Sequence, residues 1–232
     1  MSPSGPLFST DRTRVLITGF GPFSNYKTNP SWEGVRYMNG ARIEKKHKIT
    51  LFRMEMPVSY DAVDAKVPQM WQWYQPDLTI HVGLNEEVKS FVLEKQATKR
   101  GYLTLLTFEE SNIENPAGED EIVYTTLDVD TICEKFNNHK RKRCHRLRRN
   151  HKQRSSSPKL CARPSEDAGP YVCKYIYYTS LCQKQSPTLF VHVPKDKYST
   201  EQLAQGLERI LKLCLQQLPE LNNDDYYKYD II

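Results

Sequence analysis

Cys173 and His192 are the residues with which this chain could do covalent chemistry: a thiol that can become a nucleophile and, nineteen positions on, an imidazole that can take and return its proton. Cys173 follows Glu166-Asp167-Ala168-Gly169-Pro170-Tyr171-Val172, and His192 lies in Leu189-Phe190-Val191-His192-Val193-Pro194. The first stretch reads as a turn into a helix. Asp167 or Ser165 can cap it, Gly169 and Pro170 suit a turn and a first helical position, and the apolar run continues from Tyr171 to Cys182. Cys173 then stands in the first turn, where free backbone N–H groups and the positive end of the helix dipole favour thiolate over thiol. His192 ends a β-branched and aromatic run stopped by Pro194, which places it at the carboxyl end of a buried strand, the edge at which sites form in open α/β sheets. Spacing alone leaves the plainer reading open, that of a small buried cysteine and a hydrogen-bonded core histidine.

The elements that must position this pair alternate along the chain. Arg14 to Phe20 is an apolar strand entering a Gly19-Phe20-Gly21-Pro22 turn, and Asn29-Pro30-Ser31-Trp32 opens a helix with Val35 and Met38 inward. A second strand covers about Ile49 to Met56. Ser59 caps a helix through Val63, Val67, Met70 and Trp71, which Gln75-Pro76-Asp77 stops before a strand from Leu78 to Val82. Residues 88–97 read as one strand, 103–125 as loop with an edge strand near Ile122 to Tyr124, and Asp128 or Asp130 starts a short helix through Ile132 and Phe136. An amphipathic helix from Ser199 to Leu215 follows the His192 strand. This alternation predicts a single α/β domain, a three-layer α/β/α sandwich around a mostly parallel mixed sheet.

The chain's 232 residues, 38% of them apolar, suffice for one such domain. The expected division is a disordered segment 1–12, the domain at 13–218, and a mobile acidic tail at 219–232. No apolar stretch is long enough to span a bilayer and Met1 to Arg14 lacks the apolar core of a signal peptide, so a cytoplasmic protein without membrane contact is expected. Six scattered cysteines fit free thiols in a reducing compartment. Residues 139–163 carry eleven Lys or Arg and no acid, while the remainder holds 22 basic against 28 acidic side chains, so the net positive charge belongs to one segment.

An ordered set of motifs carries a resemblance. Val15-Leu16-Ile17-Thr18-Gly19-Phe20-Gly21-Pro22-Phe23, Asn29-Pro30-Ser31-Trp32, His81-Val82-Gly83, Leu93-Glu94-Lys95, Asp167-Ala168-Gly169 to Cys173, Tyr177-Tyr178-Thr179-Ser180-Leu181 and Phe190-Val191-His192-Val193-Pro194 together resemble pyroglutamyl-peptidase I, over roughly residues 13–215. The resemblance implies a cysteine omega-peptidase that removes an N-terminal pyroglutamyl residue from peptides, without cofactor or metal. Its Glu, Cys and His fall on Glu94, Cys173 and His192. By itself Glu94, a lone carboxylate after Phe91-Val92-Leu93, reads either as a buried group that requires a partner or as a surface charge on a half-exposed strand. The third member would hold the imidazole in its productive tautomer. Pyroglutamate carries a lactam in place of an amine, so its pocket should be apolar and uncharged with a few fixed polar groups. The resemblance places Phe20 and Phe23 around the ring. Arg100, where relatives carry a basic residue after the Glu, is a candidate oxyanion donor beside the Cys173 backbone N–H. His81 and His192 both follow apolar strand residues and precede valine, and only the resemblance assigns the base to His192.

Lys140 to Arg154 is the largest departure from that pattern. It has no interleaved aromatics and no recognisable nucleic-acid fold, and reads as a solvated loop. Cys133, His139, Cys144, His145, His151 and Cys161 around it lack a paired metal-ligand spacing. The competing reading is a catalytically impaired family member that binds partners through this basic loop. Relatives include monomers and homo-oligomers, and no apolar stripe here selects between them.

Overall fold

Alternation along the first strand creates two cores. In the computed structural model, which describes residues 12–24, 26–103, 113–138, 158–183 and 186–218, β1 (Thr13–Phe20) sends Val15 and Ile17 to one face of the sheet and Leu16 and Phe20 to the other. It pairs in parallel with β2 (Ile49–Met56) and β3 (Leu78–Leu84), and β3 pairs in parallel with β8 (Thr188–Val193). The sheet continues through β4 (Phe91–Glu94), antiparallel to β8, to β7 (Ala162–Ser165), in the order β2-β1-β3-β8-β4-β7. Central strands buried on both faces read as continuous apolar runs, which is why β1, β3 and β8 were legible in the sequence.

One face is covered by α1 (Pro30–Tyr37), α4 (Val129–Asn137) and α6 (Thr200–Leu215), whose Val35, Phe136, Leu207 and Leu211 join Val15, Ile80 and Val191. The other is covered by α3 (Tyr60–Tyr74) and α5 (Val172–Cys182), with Val63, Val67, Ile176 and Tyr177 against Leu16 and Phe190. The architecture is the expected three-layer α/β/α domain with a mostly parallel mixed sheet. Caps set the helix starts: Asn29, Ser59, Asp128 and Ser199 each accept a hydrogen bond from a first-turn backbone N–H, and Ser199 with Gln202 completes a reciprocal capping box.

Several elements differ from the sequence expectation. A second helix, α2 (Gly40–His47), follows α1, capped by Asn39 and ending on Lys45, Lys46 and His47. Its apolar content is little more than Ile43, too sparse for a periodic signal, but Glu208 of α6 pairs with Arg42 and, at 3.2 Å, with Lys46. The expected strand at 88–97 is two strands: β4 in the main sheet, then β5 (Gln96–Thr98), which forms a separate hairpin-like sheet with β6 (Ile122–Tyr124). β7 begins at the end of the segment read as basic insertion and runs past it, and its Arg163-Pro164 is tolerated because the strand is at the sheet edge. Residues 139–157, the N-terminal eleven and the C-terminal tail from 219 lie outside the described residues. Among the described residues no helix is long and apolar enough to cross a membrane.

Candidate active site

Strand register assembles the site before any side chain is considered. Gly19 pairs with Val82 and Gly83 with His192, so Phe20, Gly83 and His192 stand at one level on three adjacent parallel strands, at their carboxyl ends. β4 runs back along β8 with Val92 opposite His192 and Glu94 opposite Phe190. Residues two apart on a strand share a face, so Glu94, Phe190 and His192 all project toward α5. Glu94 Oε1 lies 2.8 Å from His192 Nδ1, with the two side chains 1% and 4% exposed.

α5 brings the thiol. Cys173 is its second residue, and its sulfur lies against Gly83, the register partner of His192. With Nδ1 facing Glu94, Nε2 is the ring atom left for sulfur. Gly83 makes this approach possible: a Cβ there would stand 2.8 Å from Cys173 Sγ and 2.7 Å from the Phe190 ring. The same helix anchors the carboxylate strand, since Tyr177, one turn after Cys173, donates from its hydroxyl to the Glu94 carbonyl at 2.8 Å.

Electrostatics distinguishes the two strand histidines. Burial by itself would lower the His192 pKa, but hydrogen bonds to Cys173 and Glu94, and the negative charge available on each, outweigh it and raise the value to about 9. Glu94 Oε2 is buried with no hydrogen-bond partner among the described residues, so the carboxyl group's side-chain contact runs through Oε1 to His192. His81, also fully buried, is pushed down to about 3 by desolvation with no carboxylate to oppose it. Its ring is held by Thr18 Oγ1 at 2.7 Å on Nδ1 and Ser180 Oγ at 2.7 Å on Nε2, so it is a neutral tether between β1 and α5.

The start of α5 departs from the expected capping. Its N-cap is Tyr171, whose side chain makes no cap hydrogen bond. Asp167 and Ser165 close a turn upstream instead: Asp167 Oδ1 accepts from Gly169 N at 2.9 Å, and Ser165 Oγ accepts from Asp167 N at 3.1 Å. The acidic side chain competes for the turn because Gly169 adopts φ 74°, which bends the chain before the helix begins. The first-turn N–H groups beside Cys173 therefore have no side-chain acceptor from the cap.

The other expected site residues occupy distinct settings. Phe20 is buried in the apolar cluster on the α3/α5 face, and Phe23, half-buried, stacks on Tyr26 with centroids 5.0 Å apart. Arg100 is exposed, its guanidinium engaged by Glu114 at 3.2 Å and Glu121 at 3.1 Å. Sequence reasoning passed over Tyr60 and Lys174. The Tyr60 hydroxyl donates to Leu103 O at 2.7 Å, and its pKa is pushed up to about 12, first by burial and then by Cys173. The Lys174 ammonium, adjacent to Cys173 in sequence, donates to the carbonyls of Arg100 and Gly101 at 3.0 and 2.8 Å and sits 4.8 Å from the Tyr102 ring centroid. Both dock residues 100–103 beside the start of α5. A buried-lysine signal was absent because a basic residue at a helix start reads as exposed.

A three-layer α/β/α domain with thiol, imidazole and carboxylate in line at its sheet edge has the architecture of a thiol hydrolase. Comparison with known proteins agrees: residues 13–139 match the family described as pyroglutamyl peptidase. The chain belongs to the pyroglutamyl peptidase family, a family of cysteine peptidases. Mouse pyroglutamyl-peptidase 1 is 29% identical over 217 residues, covering 92% of this chain and 95% of that protein. The pyrrolidone-carboxylate peptidase of Pyrococcus furiosus is 27% identical over 198 residues, covering 82% and 83%. Among solved structures, pyrrolidone carboxyl peptidase from Thermococcus litoralis superposes with a TM-score of 0.70 at 20% identity, over 90% of this chain and 96% of that one.

Proposed function

We propose that this protein hydrolyses the N-terminal pyroglutamyl residue from peptides, with Cys173 as nucleophile, His192 as acid and base, and Glu94 as the group that orients His192. The observation that carries the reading is the buried, 2.8 Å contact of Glu94 with His192, whose register partner Gly83 is the residue that Cys173 Sγ approaches. At neutral pH the raised His192 pKa keeps the imidazole protonated.

The Cys173 thiolate attacks the carbonyl carbon that joins pyroglutamate to the next residue, and the carbonyl electron pair moves to oxygen. The resulting oxyanion is served by the backbone N–H of Cys173 at the uncapped start of α5; Arg100 could serve only by leaving Glu114 and Glu121. Collapse of the tetrahedral species expels the peptide amine, which takes the proton from His192 Nε2, and leaves a thioester on Cys173. Neutral His192 then removes a proton from water as it attacks the thioester, releasing pyroglutamate and restoring the ion pair. Glu94 keeps Nδ1 protonated throughout. The apolar residues Phe20 and Phe23, close to the same sheet edge, suit a ring that has no charged amine.

A fluorogenic pyroglutamyl amide assayed under reducing conditions tests the reading, with Cys173→Ser as control. Turnover that disappears in a Cys173→Ser protein of unchanged thermal stability is the expected result. Well-folded wild-type protein without Cys173-dependent turnover would sink the reading and leave a non-catalytic binding role.

A further inference from the structure

Three loops leave the carboxyl edge of the sheet beside the nucleophile: residues 21–29 after β1, 85–90 after β3 and 194–199 after β8. One side chain from each meets the others. The Tyr26 hydroxyl donates to Glu86 Oε1. Lys195 Nζ donates to the Tyr26 hydroxyl at 2.8 Å and to Glu86 Oε2 at 3.3 Å, and lies 4.6 Å from the centre of the Tyr26 ring. Lys195 is three residues beyond His192, so this contact ties the loop after β1 to the strand that carries the imidazole.

The ring so held is the one that supports Phe23. Tyr26 and Phe23 stack with planes 27° apart, and Tyr26 N donates to Phe23 O at 2.9 Å. Between them Ser24 adopts φ 50°, a left-handed backbone that a non-glycine residue enters reluctantly. Left alone, a short loop with such a residue would sample other conformations. An exposed lysine–glutamate pair is a weak restraint by itself. Here the phenol bridges the pair and the cation rests on its ring, so three interactions converge on one side chain.

We infer that Tyr26, Glu86 and Lys195 form a clasp that positions Phe23 as a wall of the pyroglutamyl pocket, making them positioning residues for substrate binding. The inference rests on the peptidase reading given above. None of the three supplies a group to bond making or breaking, so opening the clasp weakens binding while the chemical step in the bound complex proceeds.

Lys195→Met and Tyr26→Phe, with Lys195→Arg as the conservative variant, are assayed with the fluorogenic pyroglutamyl amide, and amide hydrogen exchange is followed across residues 21–29. Expected are a KM raised about fivefold in the first two variants with kcat within about a factor of two, recovery in Lys195→Arg, and faster exchange in the loop. An unchanged KM overturns the clasp whatever the exchange shows, and so does a loss confined to kcat. Should wild-type protein show no Cys173-dependent turnover, the peptidase reading fails separately. The clasp is then judged on exchange in the folded protein: faster exchange in Tyr26→Phe and Lys195→Met upholds the pinning, and unchanged exchange overturns it.

Discussion

His81 and His192 occupy neighbouring strands, one on β3 and one on β8, each after apolar residues and before a valine, and each is fully enclosed. Their chemistry is opposite. His81 meets two hydroxyls, which satisfy a neutral ring and offer no charge to hold a proton. His192 meets a carboxylate and a thiol, either of which can be anionic, and keeps its proton to about pH 9. Both are buried, so the partner decides whether a core histidine stays neutral or holds a proton.

Removing the proposed base should have the largest effect: His192→Ala is expected to lower kcat/KM by about 10⁴-fold or more in the amide assay. Glu94→Gln should lower it by about 10³-fold, because the amide can donate to Nδ1 and select the wrong tautomer. The same variant should also shift the basic limb of the pH profile below the wild-type position near pH 9, since one cause of the raised His192 pKa is gone. Gly83→Ala is expected to cost about 10²-fold in kcat, as the new methyl displaces Sγ or Phe190 from a site built on their close approach.

The histidine comparison is sharpened by stability against pH. The proton on His192 stabilises the fold fully below its unfolded value of 6.5, and this contribution is lost as pH rises through about 9. For His81 the sign reverses. Its depressed value means that stability present above 6.5 declines as pH falls towards 3, because the unfolded chain takes up a proton that the folded ring refuses. Urea unfolding midpoints from pH 4 to 9 should therefore lose their acid-side slope in part in His81→Leu and their alkaline-side slope in part in His192→Ala. His81→Leu should have the smallest effect on the reaction, with kcat within a few-fold of wild type. It should still destabilise the fold by about 1–3 kcal/mol, since Thr18 and Ser180 lose their shared partner.

Much of the fold was legible because central strands and amphipathic helices announce themselves by period and cap. β1, β3, β8 and α6 stand where the apolar runs and Ser199 place them. α2 and β7 were not legible: one has little more than Ile43 to bury, the other carries Arg and Pro on an edge, and each is held by neighbours distant in sequence. Asp167 looked like a cap because its type suits one. The left-handed Gly169 delays the helix, leaving the aspartate to close the preceding turn.

Residue type and local order by themselves determined that Cys173 would stand in a helix's first turn and His192 at a strand's carboxyl end, since both follow from short-range preferences. For Glu94 they left a surface charge on a half-exposed strand as the plainer reading, and the resemblance singled it out. Local pattern did not separate the two histidines; the motif resemblance pointed to His192, and the tertiary structure brings the carboxylate to its ring. The Glu94–His192 contact joins residues 98 apart and the Ser180–His81 contact residues 99 apart, both closed by strand register and helix docking. No local pattern encodes which polar group will lie across from an imidazole, and that encounter sets its charge.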